Sequence, residues 1–380
     1  MKPIVVLGSG LAGYTLIREL RKLNREIAIT LISRDSGDYY SKPMLSNALT
    51  QGKTSASLVL TSAAAMAAQQ NITLLAHCEV TAIDTAAKQL KTSVGMIAYD
   101  KLVLALGADP IQIPLQGNAA DSVLSVNDLN DYANFRDQLE TAKSVAIMGG
   151  GLIGCEFAND LANAGYRVTV IDPAPYPLAG LMPEQAGSQL LSPLSKLGVN
   201  WSFGAAVTAV DALGSGYSLT LSDDSIVQAD IVLSAVGLRP RIQLAREAGL
   251  RVNRGIVVND QLQSSDEFIF AMGDCAEIGG LVLPYVLPIM HEGRALAKIL
   301  NGEDAKVNFP AMPVVVKTPA HPVALSPVAR GASGSWQVQS SGAGIKMAFY
   351  DEQDKMAGFV LTGDYAPERS EMTKKLFVAI

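Results

Sequence analysis

Cysteine is scarce in this chain. Cys78, Cys155 and Cys275 are the only three, far apart and in no paired spacing. That excludes a disulfide framework and fits a reducing, cytoplasmic setting. With only His77, His291 and His321 as histidines, no zinc-type spacing forms either. Charged residues make up 17%, no Lys/Arg block occurs, and the net charge is -6. An acidic chain without a basic run argues against a nucleic-acid partner. Long apolar runs are missing too, since none approaches the roughly 18 residues of a membrane helix. The opening "MKPIVVLG" is too short for a signal peptide and leads straight into a glycine loop. What remains is a globular composition, 49% hydrophobic over 380 residues, long enough for two or three domains.

Two glycine loops are present. "IVVLGSGLAGYTL" (4–16) and "VAIMGGGLIGCEFA" (145–158) each read as strand, tight loop and helix. Each is followed by a strand with a similar ending, "LGADP" (106–110) and "VGLRP" (236–240). Strand–helix alternation of this kind implies parallel sheets with crossover helices. From about Phe309 the glycine fingerprints stop. "PVVVKT", "WQVQSS" and "GIKMAFYD" read as strands, and a terminal helix should begin near Pro367. We therefore expect an α/β protein with two Rossmann-like three-layer dinucleotide-binding domains and a small α+β C-terminal domain. The expected boundaries are 1–112 with 236–308, 113–235, and 309–380.

The loop chemistry is geometric. A first Gly allows the turn, a second lets the backbone approach a diphosphate, and a third lets helix and strand pack, with the helix N-terminus facing the phosphates. Gly8, Gly10 and Gly13 fill these places in one loop, and Gly149, Gly151 and Gly154 in the other. An acid at the end of the next strand reads the ribose hydroxyls and repels a 2′-phosphate. Asp172 ends "YRVTVID", so the second site should prefer NADH to NADPH. In the first copy Ser33 stands at that place, followed by Arg34 and Asp35. Arg34 alone would suggest a 2′-phosphate.

The stretch "FIFAMGDCAEI" (268–278) decides otherwise. It resembles the flavin-closing Gly-Asp motif of two-dinucleotide flavoproteins. The resemblance implies that Asp274 bonds the ribityl chain of FAD, with a short helix following it. The first site then holds FAD and the second NADH. The segment "DYYSKPMLSNALTQGK" (38–53) contains no Cys, so the thiol relay of disulfide reductases is not expected.

That segment, with "GGGLIGCEFANDL", "SAVGLRP", "NRGIVV", "GDCAE" and "VKTPAHP", resembles the NADH-dependent ferredoxin and rubredoxin reductases over nearly the whole chain. The last three stretches resemble the rubredoxin and flavorubredoxin branch. The family's FAD contacts then fall on Gly10, Leu11, Ala12, Gly13, Ser33, Arg34, Lys42, Val80, Glu156, Asp274, Val286 and Lys317. Glu156 needs a cation, and where ferredoxin reductases often carry a Lys this chain has Asn47, so Lys42 and Lys317 are both candidates. Lys317, Glu156 and Lys42 are the expected residues beside the reacting ring, with no essential general acid or base. The resemblance implies hydride transfer from NADH to flavin N5, then single electrons to rubredoxin, serving an alkane hydroxylase or a nitric oxide or oxygen scavenging system. Rubredoxins are usually acidic, so a basic face near Lys42, Lys317 and Arg330 is expected. A monomer is expected. Other acceptors (ferredoxin, flavorubredoxin, oxygen), an NADH-dependent sensor and a flavin-free transhydrogenase remain as alternatives.

Overall fold

The computed structural model describes residues 2–329 and 331–376. Three helices position the candidate sites: α1 (Leu11–Leu23), α2 (Leu152–Asn163) and α3 (Val286–Leu300). Among the described residues, nine strands build the two larger parallel sheets. They are β1 (Ile4–Leu7), β2 (Ile29–Ile32), β3 (Thr73–Leu75), β4 (Lys101–Leu104), β5 (Ser144–Met148), β6 (Arg167–Asp172), β7 (Val199–Phe203), β8 (Ile231–Ser234) and β9 (Ile269–Ala271). Five more build an antiparallel sheet: β10 (Val314–Val316), β11 (Val323–Ser326), β12 (Gly334–Ser341), β13 (Ile345–Asp351) and β14 (Met356–Thr362).

The chain divides into two units. The first contains residues up to Lys42, Ser57–Asp109 and Leu238–Phe309. Its parallel sheet has the order β9-β4-β1-β2-β3. Strands β1 and β2 are buried throughout and apolar except for Thr30, as a sheet covered on both faces requires. Helix α1 buries Leu16, Ile17 and Leu20, each stabilising the fold by about 1.5–3 kcal/mol. Arg21 and Lys22 in its last turn suit the negative end of the helix dipole. Helix α3 lies against α1, close enough that a Cβ on Gly293 would stand 2.8 Å from the Thr15 methyl. A small antiparallel sheet, Val80–Asp84, Gln89–Thr92 and Gly95–Ala98, belongs to the same unit.

The second unit contains Pro43–Ala56, Pro110–Gly237 and the chain from Pro310 on. Its parallel sheet, β7-β6-β5-β8, repeats the β3-β2-β1-β4 order of the first. The sequence repeat is therefore a repeat of topology. An antiparallel sheet of Val207–Leu213, Gly216–Leu221 and Ile226–Ala229 accompanies it, the β-rich stretch visible in the sequence. The C-terminal strands pair in the order β10-β11-β14-β13-β12, and β11 and β14 were not read from the sequence. The last helix, Arg369–Lys375, follows a 3-10 turn that contains Pro367.

One apolar core explains why the C-terminal sheet groups with the second loop. It joins Phe157 and Leu161 of α2 to Val316, Val323 and Val360 of that sheet. The unit borders fall at 109/110 and 237/238, and residues 43–56 and the segment from Pro310 on group with the second loop rather than with the first or by themselves. Among the described residues, no helix is long and apolar enough to cross a membrane.

Candidate functional site

Both loops have the geometry that the fingerprint demands. Gly8 has φ +114° and Gly149 φ +106°, a region that side chains disfavour. A Cβ on Gly13 would run into the Gly8 carbonyl, and one on Gly154 into the Gly149 carbonyl. Gly10 and Gly151 face open space. They also cap α1 and α2, neither cap supplies a side-chain acceptor, and neither helix has an acid in its first turn. The free N–H groups and the positive dipole end are thus left for an anion. Leu11 and Ala12 lie in the first turn of α1.

Beside the first loop stands Asp35, two residues beyond Ser33. The Ser9 and Ser33 hydroxyls lie 2.6 Å apart, and both turn to Asp35 Oδ1. Gly37 N also donates to that oxygen at 2.9 Å. Ser33 is buried at the end of the β2 segment, and Arg34 is exposed. Cys78 N donates to Ser33 O, which ties the chain just before Val80 to this strand end. Val80 opens the small antiparallel sheet.

The Gly-Asp motif follows β9. Asp274 lies in a 3-10 turn, Gly273–Cys275, and Gly273 has φ +72°. The turn leads into a short strand, Ala276–Ile278, rather than into the expected short helix. The next helix is α3, which starts at Val286, itself exposed. Burial raises the Asp274 carboxyl above its ordinary range, against the pull of Lys42 and Arg241. Arg241 is anchored by Asp109 through its Nε at 2.6 Å. Gly-Asp, Lys42 and the first loop all belong to the first unit.

In the second unit, Asp172 stands at the end of β6 as expected. Its Oδ2 accepts from Gly150 N at 2.6 Å and its Oδ1 from Ala174 N at 2.7 Å. The carboxylate is thereby fixed beside the loop. Residues 173–183 contain no Lys or Arg that would meet a 2′-phosphate.

Helix α2 carries the other polar cluster. Glu156 is only 2% exposed. Lys317 is its cation, with Nζ 2.7 Å from Oε2. Ser46 Oγ donates to Oε2 at 2.6 Å, and Lys317 N donates to Oε1 at 2.9 Å. Lys317 Nζ also donates to Ser46 Oγ at 2.8 Å and to Pro43 O. Of the two candidate lysines, Lys317 thus makes the pair. Further along the helix, Asn159 Oδ1 accepts from Ala320 N at 3.1 Å, and Asp160 accepts from Leu49 N and Thr50 N at 2.9 and 3.0 Å. These three residues hold the 43–56 and 316–320 segments to α2. Ser46, Asn159 and Asp160 were not singled out in the sequence.

Thiol chemistry finds no support among the described residues. All three cysteines are free and buried. Burial pushes the Cys155 thiol far up and the Cys275 thiol up to about 12. Such thiols are inert. No group of His, Cys, Asp and Glu there is placed to hold a metal. Burial lowers His291 and His321. Arg330, expected on a basic face, lies outside the described residues.

Known proteins agree with this architecture. The family model for pyridine nucleotide-disulphide oxidoreductases matches residues 2–296, and that for a rubredoxin binding C-terminal domain matches residues 306–376. A rubredoxin-NAD(+) reductase of Alcanivorax borkumensis is 46% identical over 377 residues, covering 99% of each chain. A nitric oxide reductase FlRd-NAD(+) reductase of Klebsiella pneumoniae is 39% identical over 373 residues, covering 98% of each. Among solved structures, the covalent putidaredoxin reductase–putidaredoxin complex superposes with a TM-score of 0.88 at 26% identity, over 98% of this chain and 93% of that one.

Proposed function

The chain belongs to the pyridine nucleotide-disulphide oxidoreductase family, and from that premise we propose that it is an FAD-dependent NADH:rubredoxin oxidoreductase. The observation that carries the reading is the C-terminal segment. A chain with two dinucleotide loops continues into 71 residues that match a rubredoxin-binding model, 306–376. The lack of an available thiol pair fits delivery to an iron protein rather than to a disulfide.

Bound FAD supplies a group that takes up two electrons as hydride and gives them out singly. The chain's own residues bind and orient. In this reading 1–112 with 236–308 form the FAD domain, and 113–235 form the NAD domain. Gly8, Gly10, Leu11, Ala12 and Gly13 present backbone N–H groups to the FAD diphosphate. The Ser33, Arg34 and Val80 region borders the adenosine end, with Asp35 as its ribose acceptor. Asp274 accepts from the ribityl hydroxyls, and Val286 heads the helix that borders the flavin. Gly149, Gly151 and Gly154 take the NADH diphosphate, and Asp172 takes the ribose hydroxyls and repels a 2′-phosphate. Lys317, held by buried Glu156, and Lys42 supply positive charge for an electron-rich ring and for an acidic docking partner. The protein acts in the cytoplasm, where its cysteines stay reduced.

A second acceptor, a flavorubredoxin, is favoured by the FlRd-NAD(+) reductase relatives at 39% identity. The test is an anaerobic visible spectrum of the purified protein, first with NADH and then with oxidised rubredoxin. Flavin bands that bleach with NADH and recover with rubredoxin support the proposal. Bleaching that recovers only with a flavorubredoxin favours the second acceptor, and a protein without flavin overturns the assignment.

A further inference from the structure

Two acids of the first unit are deeply buried, and they differ. Glu277 is satisfied, accepting from Asn253 Nδ2 and Gly255 N at 2.9 Å each. Glu292, in the middle of α3 and 2% exposed, has one hydrogen bond, from Gly273 N to its Oε2 at 2.6 Å. No ion pair reaches it among the described residues. Its helical neighbours Pro288, Ile289, Ala295 and Leu296 are apolar and buried. The helix packed against it, α1, brings Thr15 to the adjacent Gly293. The titratable groups that face it are Asp274 and Cys275, both in the Gly-Asp turn. A carboxylate in such surroundings is costly, and the group takes a proton instead. Burial, and then Asp274, push it up to about 7.

Glu292 also has a position that matters. The Gly273 N–H it holds belongs to the turn that carries Asp274. That turn rests on the first turn of α1, so that a Cβ on Gly273 would stand 2.9 Å from Ala12 Cβ. A contact path therefore runs from the α3 acid, through the turn, to the helix end that faces the diphosphate.

We infer that Glu292 is a positioning residue for FAD: as a neutral carboxyl it holds the Gly273–Asp274 turn against the first loop, and binding of the anionic diphosphate there is linked to its protonation. This rests on the FAD assignment above. An ionised Glu292 would add a second negative charge beside Asp274, next to two more on the ligand. A neutral one keeps the acceptor for Gly273 N without that charge. The sign follows. Bound FAD raises the proton affinity of Glu292 above that of the free protein. FAD affinity is then complete below about pH 7 and falls as pH rises, by about tenfold between pH 6 and pH 8.

The test is FAD release from diluted holoenzyme, followed by the fluorescence of free flavin from pH 6 to pH 9. Wild type should show the tenfold loss. Glu292→Gln keeps an acceptor for Gly273 N and has no proton to lose, so its affinity should match wild type at pH 6 and stay flat. Glu292→Met should bind about tenfold more weakly at every pH, because a buried N–H is left unpaired, and should also be flat. A flat wild-type profile, or a Gln or Met variant with the wild-type slope, overturns the inference. A protein purified without flavin would instead defeat the FAD assignment.

Discussion

Replacing Lys317 with Met tests the polar cluster on α2. Met keeps an unbranched stem in the same space and removes only the ammonium. What remains is the Glu156 carboxylate, 2% exposed, with two neutral donors, Ser46 Oγ and Lys317 N. Deleting one partner of a buried pair costs about 3–5 kcal/mol. The Lys317 side chain is 28% exposed, so water already screens part of the attraction. The two remaining donors reduce the loss further, which places it at about 2–3 kcal/mol. For a unit of this size that is a fall in Tm of about 4–12 °C. Glu156→Gln should cost less, because an amide oxygen still accepts from Lys317 N and the freed ammonium can reach water. The double variant should lose less than the sum, with a coupling of about 1–2 kcal/mol. Calorimetry on wild type, both singles and the double gives the cycle. A Lys317→Met protein within about 1 °C of wild type, or single effects that simply add, would refute the reasoning, since the ion pair would then not be holding the segment after β10 to α2.

The other predictions address the ligands. Asp274→Ala should weaken FAD retention by about 10–100-fold, the worth of hydrogen bonds to a charged group, read as the flavin-to-protein ratio after gel filtration; a fully flavinated variant would count against its role. Asp172→Ala should raise KM for NADH and narrow the gap to NADPH, because the ribose acceptor and the loop's own backbone partner are lost together; unchanged selectivity would put the ribose reader elsewhere. Raising salt from about 50 to about 500 mM should slow reoxidation by rubredoxin while leaving bleaching by NADH nearly unchanged; equal rates at both would remove charge from the docking step.

Short-range chemistry was legible in the sequence, and long-range pairing was not. The glycine loops, the parallel strands and Asp172 follow from spacing alone, because each depends on neighbours within one strand–loop–helix unit. Asp35, the proposed ribose acceptor of the first loop, stands two residues beyond the expected position. The strand-end position belongs to Ser33, and only the folded turn brings Asp35 back to the Ser9 hydroxyl. The partner of Glu156 lies 161 residues away, and no local pattern chooses Lys317 over Lys42. The turn after β9 reads as a helix cap because Gly-Asp is a good helix start, yet the backbone goes on into a strand. Glu292 was invisible for a related reason. Its sequence neighbours His291 and Arg294 make it look like part of a charged stretch, although Pro288, Ile289, Ala295 and Leu296 on its own helix face are apolar, and packing against α1 and the Gly-Asp turn buries it.

The likeness of the two loops sharpens what distinguishes their ligands. Both present open glycines, uncapped N–H groups and a helix free of acid in its first turn, so the diphosphate contacts alone favour neither a resident nor a passing dinucleotide. The difference must come from additional anchors. In the first unit the proposed anchors are the Ser9–Ser33–Asp35 cluster, Asp274 with Lys42 and Arg241, and Glu292 behind the turn. In the second the proposed anchor is Asp172, whose two carboxylate oxygens accept from the Gly150 and Ala174 backbone N–H groups. The proposed anchors of the first unit hold partners within the protein as well: Asp35 accepts from Ser9, Ser33 and Gly37 N, Glu292 from Gly273 N, and Arg241 donates to Asp109. At about 1–3 kcal/mol for each buried polar contact, two or three further anchors, as proposed for the first unit, would separate the affinities by roughly 30-fold to more than a million-fold. Hydride transfer with turnover calls for a retained FAD and an exchangeable NADH, and removing Asp274 or Glu292 should move the first site toward the behaviour of the second.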